Sequence, residues 1–136
     1  PPATRRLGGG PDAATGGVYV VHLCGMGCTH KSGLFGAVIA DMRARPHVPL
    51  TLVAGDLNTF GMPRLQMWRR IRAAAKSAEL VELTKPVRRT HWTSQKLDAI
   101  YMKAPSPHRY HAWAAKVGGS DHLPVFADIE PGPSSD

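Results

Sequence analysis

Two uninterrupted apolar runs, VYVVHL over 18–23 and LTLVAG over 50–55, constrain this chain more than any other feature. Runs of that length, rich in β-branched residues and bounded by glycine-containing loops, suit buried strands. Between them Leu34, Phe35, Val38, Ile39 and Met42 recur at helical spacing, and Pro46 stops the pattern. A second helix is expected after the Gly-Met-Pro turn, with Leu65, Trp68, Ile71 and Ala75 facing inward and Arg69, Arg70, Arg72 and Lys76 outward. RTHWT and LDAIYMK read as a hairpin, RYHAWAAKV as a weaker strand, and LPVFADI, residues 123–129, as the last strand. Strand, helix, strand, helix and then several strands predict a mixed α/β sheet with helices on one face.

The chain has 136 residues, the size of one domain with a single core. Residues 1–17 are rich in Gly, Pro and small side chains and are expected as a linker or exposed loop, and 131–136 as a frayed tail. No apolar run approaches the roughly 18 to 20 residues that span a bilayer. With 17 Lys+Arg against 10 Asp+Glu the net charge is +7, a field that attracts polyanions and that also suits plain solubility. Two cysteines, Cys24 and Cys28, are too few for a disulfide framework and set no compartment. HLCGMGCTH offers His22, Cys24, Cys28 and His30 to a zinc ion, but the spacing matches no standard ligand pattern, and loop thiols are the plainer reading.

Polar residues cluster at the ends of the apolar runs. His22 and Asp56 fall at C-terminal ends, while Asp98 and the Asp121-His122 pair fall at N-terminal ends. If the last strands run antiparallel to the first two, these positions meet on one rim, where ligand sites form. In GDLN, Gly55 lets the chain turn sharply, and Asp56 and Asn58, two apart, project the same way. Asp56 can accept from a water or bind a hard cation, and Asn58 can donate to a phosphate oxygen; an ordinary turn would use the same residues. In GGSDH an imidazole beside a carboxylate is a general-base candidate. Asp98 opens an apolar run and needs a partner, either His122 or a buried Arg or Lys. A lone His such as His22 at a strand end also suits a satisfied edge histidine.

Taken in order, VVHL, LVAGDLN, KLDAIYM and GSDHLPVFADI resemble the C-terminal half of the endonuclease/exonuclease/phosphatase superfamily, the deoxyribonuclease I-like fold. The resemblance covers residues 18–130 and is strongest in GDLN and SDHLPV. It implies half of a two-sheet α/β sandwich and a metal-dependent phosphoester hydrolase with a phosphoester substrate; the basic helix from Trp68 to Lys76 and the loop TKPVRRTHW mildly favour nucleic acid as that substrate. By position it implies His122 as the catalytic histidine, Asp98 orienting it, and Asp56 activating the attacking water. Asp121, Asp56 and Asn58 would form the shell of Mg²⁺ or Mn²⁺, and Asn58 and His22 would hold the phosphate. The family's metal-binding glutamate has no counterpart, because Glu79, Glu82 and Glu130 are the only glutamates and none follows an early strand. The expectation is therefore one piece of a longer hydrolase that associates with the missing half or with a second copy. The alternative is a noncatalytic polyanion-binding module of the same fold.

Overall fold

The computed structural model describes residues 3–6, 15–25, 28–59, 63–105 and 108–131. Five strands form one sheet in the order β1-β2-β3-β5-β4: β1 (Ala3–Arg6), β2 (Thr15–His22), β3 (Leu50–Asp56), β4 (Val81–Glu82) and β5 (Asp98–Lys103). A separate antiparallel pair is made by β6 (His108–Ala114) and β7 (Val125–Pro131). Two helices complete the described elements, α1 (Lys31–Ala44) and α2 (Pro63–Ser77). β2 and β3 run parallel, so the chain must cross over between them, and α1 is that crossover. β5 returns antiparallel beside β3.

Strand alternation decides what each face does. Tyr19, Val53 and Tyr101 lie in one row across β2, β3 and β5, and Val21, Gly55 and Ala99 lie in another. With the exception of Gly55, these residues pack with Phe35 and Ile39 of α1 and Trp68, Ile71 and Ala75 of α2 in one core. Phe35 and Tyr101 meet there with ring centroids 5.8 Å apart, a tilted pair worth about 0.5–1.5 kcal/mol beyond area burial. The opposite face carries Val18, Leu52 and Met102 in one row and Val20, Ala54 and Ile100 in the next. β7 touches β5. Met102 on β5 is buried, whereas Val20 on β2 is 84% exposed, so this second face is open at its β2 side.

Several expectations change. Residues 3–6 and 15–17 form strand rather than linker, paired in the register Ala3↔Val18 to Arg6↔Thr15. Residues 1, 2, 7–14 and 132–136 lie outside the described residues, as does the side chain of Leu65. Leu34 is half-exposed, because the core-facing stripe of α1 runs through Phe35 and Ile39. RTHWT does not pair with LDAIYMK. β5 is already bonded along one edge to β3 and along the other to β4, and His91 instead bridges His122. Cys24 and Cys28 are joined in a disulfide, with Cα atoms 5.8 Å apart, so neither offers the thiolate that a zinc ion needs. None of the described helices is long and apolar enough to cross a membrane.

Candidate functional site

Register alone assembles the first part of the site. His22 pairs with Asp56 across β2 and β3, and Asp56 pairs with Asp98 across β3 and β5, so three polar residues stand side by side at one rim. The Nε2 of His22 lies 3.7 Å from Oδ2 of Asp56, and the His22 side chain is 80% exposed. His122 arrives from the segment before β7. Its Nδ1 is 2.9 Å from Oδ2 of Asp98 and its Nε2 is 3.6 Å from Oδ2 of Asp56. A carboxylate only accepts, so Nδ1–H donates to Asp98, and it is in the neutral ring that the Nε2 lone pair faces Asp56.

The charges respond to this crowding. Burial, helped by the Asp98 charge, pushes the Asp56 carboxyl up against the pull of the Asn58 N–H and the His122 and His22 rings. Partial burial would lower His122. The Asp98 hydrogen bond and charge, with the charges of Asp56 and Asp121, outweigh burial and hold the imidazole above its ordinary value.

Asn58 is fixed from three sides. Its backbone N–H donates to Oδ1 of Asp56 at 2.7 Å, and its Nδ2 donates to the Leu23 carbonyl at 2.6 Å. Its carbonyl accepts from Nζ of Lys31. The residue has φ 48°, a left-handed conformation that asparagine tolerates better than most side chains. Lys31 was not singled out by the sequence. It is buried, and burial lowers its ammonium while the Asp56 charge opposes that. Its one signal is a cation in the first turn of a helix, against the dipole.

His122 is held in place by a segment that the sequence placed elsewhere. Trp92 N–H donates to the Asp121 carbonyl and Leu123 N–H to the Thr90 carbonyl, both at 2.8 Å. Ser120 Oγ accepts from the His122 N–H at 3.1 Å. The Asp121 carboxylate stands 3.6 Å from Nε2 of His91. The structure therefore brings His22, Asp56, Asp98 and His122 together with Asn58, and groups the Asp121 side chain with His91 and His122. Among the described residues, Asp56, Asp98 and His122 form one group able to hold a metal ion, and His91, Asp121 and His122 form a second. His22, Cys24, Cys28 and His30 form none.

Thr90 anchors the acid. Its fully buried hydroxyl accepts from the N–H groups of Leu97 and Asp98, at 2.8 and 3.0 Å. Thr90→Val keeps the shape and strands both donors, so it is expected to destabilise the fold by about 1–3 kcal/mol. Denaturant unfolding measures this, and an unchanged midpoint would contradict the anchoring role.

The sequence matches no protein-family model and no curated protein. Solved structures are similar in fold. Cytolethal distending toxin from Actinobacillus actinomycetemcomitans superposes with a TM-score of 0.59 at 18% identity, covering 83% of this chain and 51% of the toxin chain. The Haemophilus ducreyi toxin gives 0.62 at 16%, covering 96% and 58%. A mannosyl-6-phosphatase from Bacteroides thetaiotaomicron gives 0.61 at 15%, covering 86% and 51%. The chain thus spans little more than half the length of these structures, and its mixed α/β architecture is half of the deoxyribonuclease I-like sandwich.

Proposed function

We propose that this chain is the catalytic half of a divalent-metal-dependent phosphoester hydrolase. The observation that carries the reading is the line Asp98–His122–Asp56, a carboxylate-oriented imidazole whose second nitrogen faces another carboxylate across 3.6 Å. Asp98 fixes the tautomer, and Nε2 of His122 accepts the proton of a water attacking phosphorus. Asp56 positions that water. Asn58, held rigid by Leu23 and Lys31, contacts the phosphate. The exposed His22 reaches the phosphate or the leaving group from β2.

The donor set fits a hard cation. Asp56 and Asp98 bring two carboxylates together with His122, and the Asp56 carboxyl, pushed up first by burial and then by the Asp98 charge, would be eased by a cation. Asp56 and Asn58, with Asp98, would hold Mg²⁺ or Mn²⁺ through oxygen. Bound there, it would offset charge developing on the phosphoryl oxygens. Among the described residues no glutamate joins this rim: Glu79 pairs with Lys103, Glu82 with Arg72 and Lys96, and Glu130 lies on β7 opposite Arg109. The remaining ligand is supplied from outside the chain, by the half of the sandwich that would cover Val18 and Val20. Sedimentation velocity of the chain by itself is expected to show association through that open face, and a strictly monomeric chain would count against it.

A polyanionic substrate is favoured by what borders the rim. Lys85, Arg88 and Arg89 are exposed on the segment leading into His91, and Trp92 beyond it is 68% exposed. Cations that track phosphates beside an aromatic that stacks on bases suit a nucleic acid. The same surface supports the second reading, a polyanion-binding module without turnover. Cleavage of an aryl phosphodiester and of plasmid DNA with Mg²⁺ or Mn²⁺, against an EDTA control, separates the two. Turnover abolished by EDTA supports the hydrolase; salt-sensitive DNA binding without turnover even in the associated form supports the module.

A further inference from the structure

We infer that His91, Asp121 and His122 form a second cation site, built for a borderline transition metal such as Zn²⁺ rather than for Mg²⁺. One ligand atom from each of the three lies within 4.8 Å of the others. Nε2 of His91 and Oδ2 of Asp121 are 3.6 Å apart, a gap that one ion spans with bonds of about 2.0–2.2 Å to each. The two rings meet edge to face with centroids 4.8 Å apart.

All three ligands are held in place by neighbouring groups, and His122 already has the outer acceptor that a metal-bound imidazole needs. Asp98 accepts the Nδ1 proton of His122, which leaves Nε2 for a cation. Nδ1 of His91 lies 2.7 Å from the Thr93 hydroxyl and accepts from the Thr93 N–H at 3.3 Å, which fixes the ring with Nε2 towards Asp121, where a cation would take the place of the Nε2 proton. The Asp121 backbone is held by the Trp92 N–H. His91 is buried, so little side-chain entropy remains to be lost on binding.

Donor chemistry selects the ion. Two imidazoles and one carboxylate match zinc, whereas magnesium prefers oxygen ligands. The ion would draw on the same His122 nitrogen as the proposed hydrolysis. Occupation would therefore inhibit turnover, a consequence that rests on the hydrolase reading while the site itself does not.

The test is Zn²⁺ binding to the whole chain, by competition with a chromophoric chelator in excess Mg²⁺, with ¹⁵N NMR of the imidazoles. One Zn²⁺ is expected per chain, with ring-nitrogen shifts at His91 and His122. His91→Ala and Asp121→Asn are each expected to weaken binding at least about tenfold. Because His91 is buried and its alanine variant can misfold, the exposed Asp121 provides the safer substitution. Undiminished affinity in Asp121→Asn, shifts confined to other histidines, or displacement by Mg²⁺ would each overturn the site.

Discussion

Gly55→Ala is expected to prevent the chain from folding. A Cβ at position 55 would sit 1.8 Å from the Val21 carbonyl oxygen, 2.8 Å from its carbon and 3.0 Å from the Val21 nitrogen. Carbon and oxygen ordinarily approach no closer than about 3.3 Å, so the neighbouring strand would have to retreat by more than an ångström. Val21 and Gly55 are register partners in the parallel pair at the centre of the sheet, so the displacement breaks the β2–β3 ladder itself. The backbone adds to the cost, because φ at Gly55 is 146°, a region closed to residues with a Cβ. Strain alone costs about 1–3 kcal/mol there, and a broken central ladder consumes most of the roughly 5–15 kcal/mol that holds a domain together. Gly36→Ala is the control. It lies inside α1 with nothing within 4 Å of a new Cβ, and alanine there is expected to stabilise by about 0.5–1 kcal/mol. Circular dichroism and thermal melting of the two variants decide the matter, and a cooperative melt of Gly55→Ala near the wild-type temperature would refute the argument.

Much of the rim is legible in the sequence alone. VYVVHL and LTLVAG are continuous because both faces of β2 and β3 carry apolar side chains, and their ends mark where polar residues must emerge. Placing His22, Asp56 and Asp98 at one edge then needs only the strand directions, which a helical crossover and a return strand supply. The position of RTHWT was not legible in the same way. A short run of β-formers before LDAIYMK looks like a hairpin partner until β4, only two residues long, takes that edge. Freed from the sheet, Thr90 and His91 serve instead as the wall that docks His122. Lys31 and the Cys24–Cys28 disulfide were hidden for a related reason: a buried lysine and a cysteine pair four apart acquire meaning only when tertiary contacts surround them. Val20 shows the converse. Its run reads as doubly buried, yet the residue is exposed, because a strand apolar on both faces announces a second layer whether or not the same chain provides it.

His122→Ala is expected to lower metal-dependent phosphodiester cleavage by about 10² to 10⁴, the usual contribution of a positioned proton acceptor. The ring is only partly buried, so the loss should come with little change in melting temperature. Asp98→Asn tests how the ring is used. An asparagine amide in that place can donate to Nδ1, which favours the tautomer with the proton on Nε2 and removes the lone pair facing Asp56. Its rate should fall towards that of His122→Ala. The double variant separates two roles for the acid. If Asp98 acts through His122, removing both costs no more than removing the histidine, since groups that work as a unit are not additive. If Asp98 instead acts chiefly as a cation ligand, the two losses multiply, and the double variant falls well below either single one. Wild-type rates in His122→Ala would sink the hydrolase reading outright. A multiplicative double variant would keep that reading and move Asp98 from the imidazole to the metal.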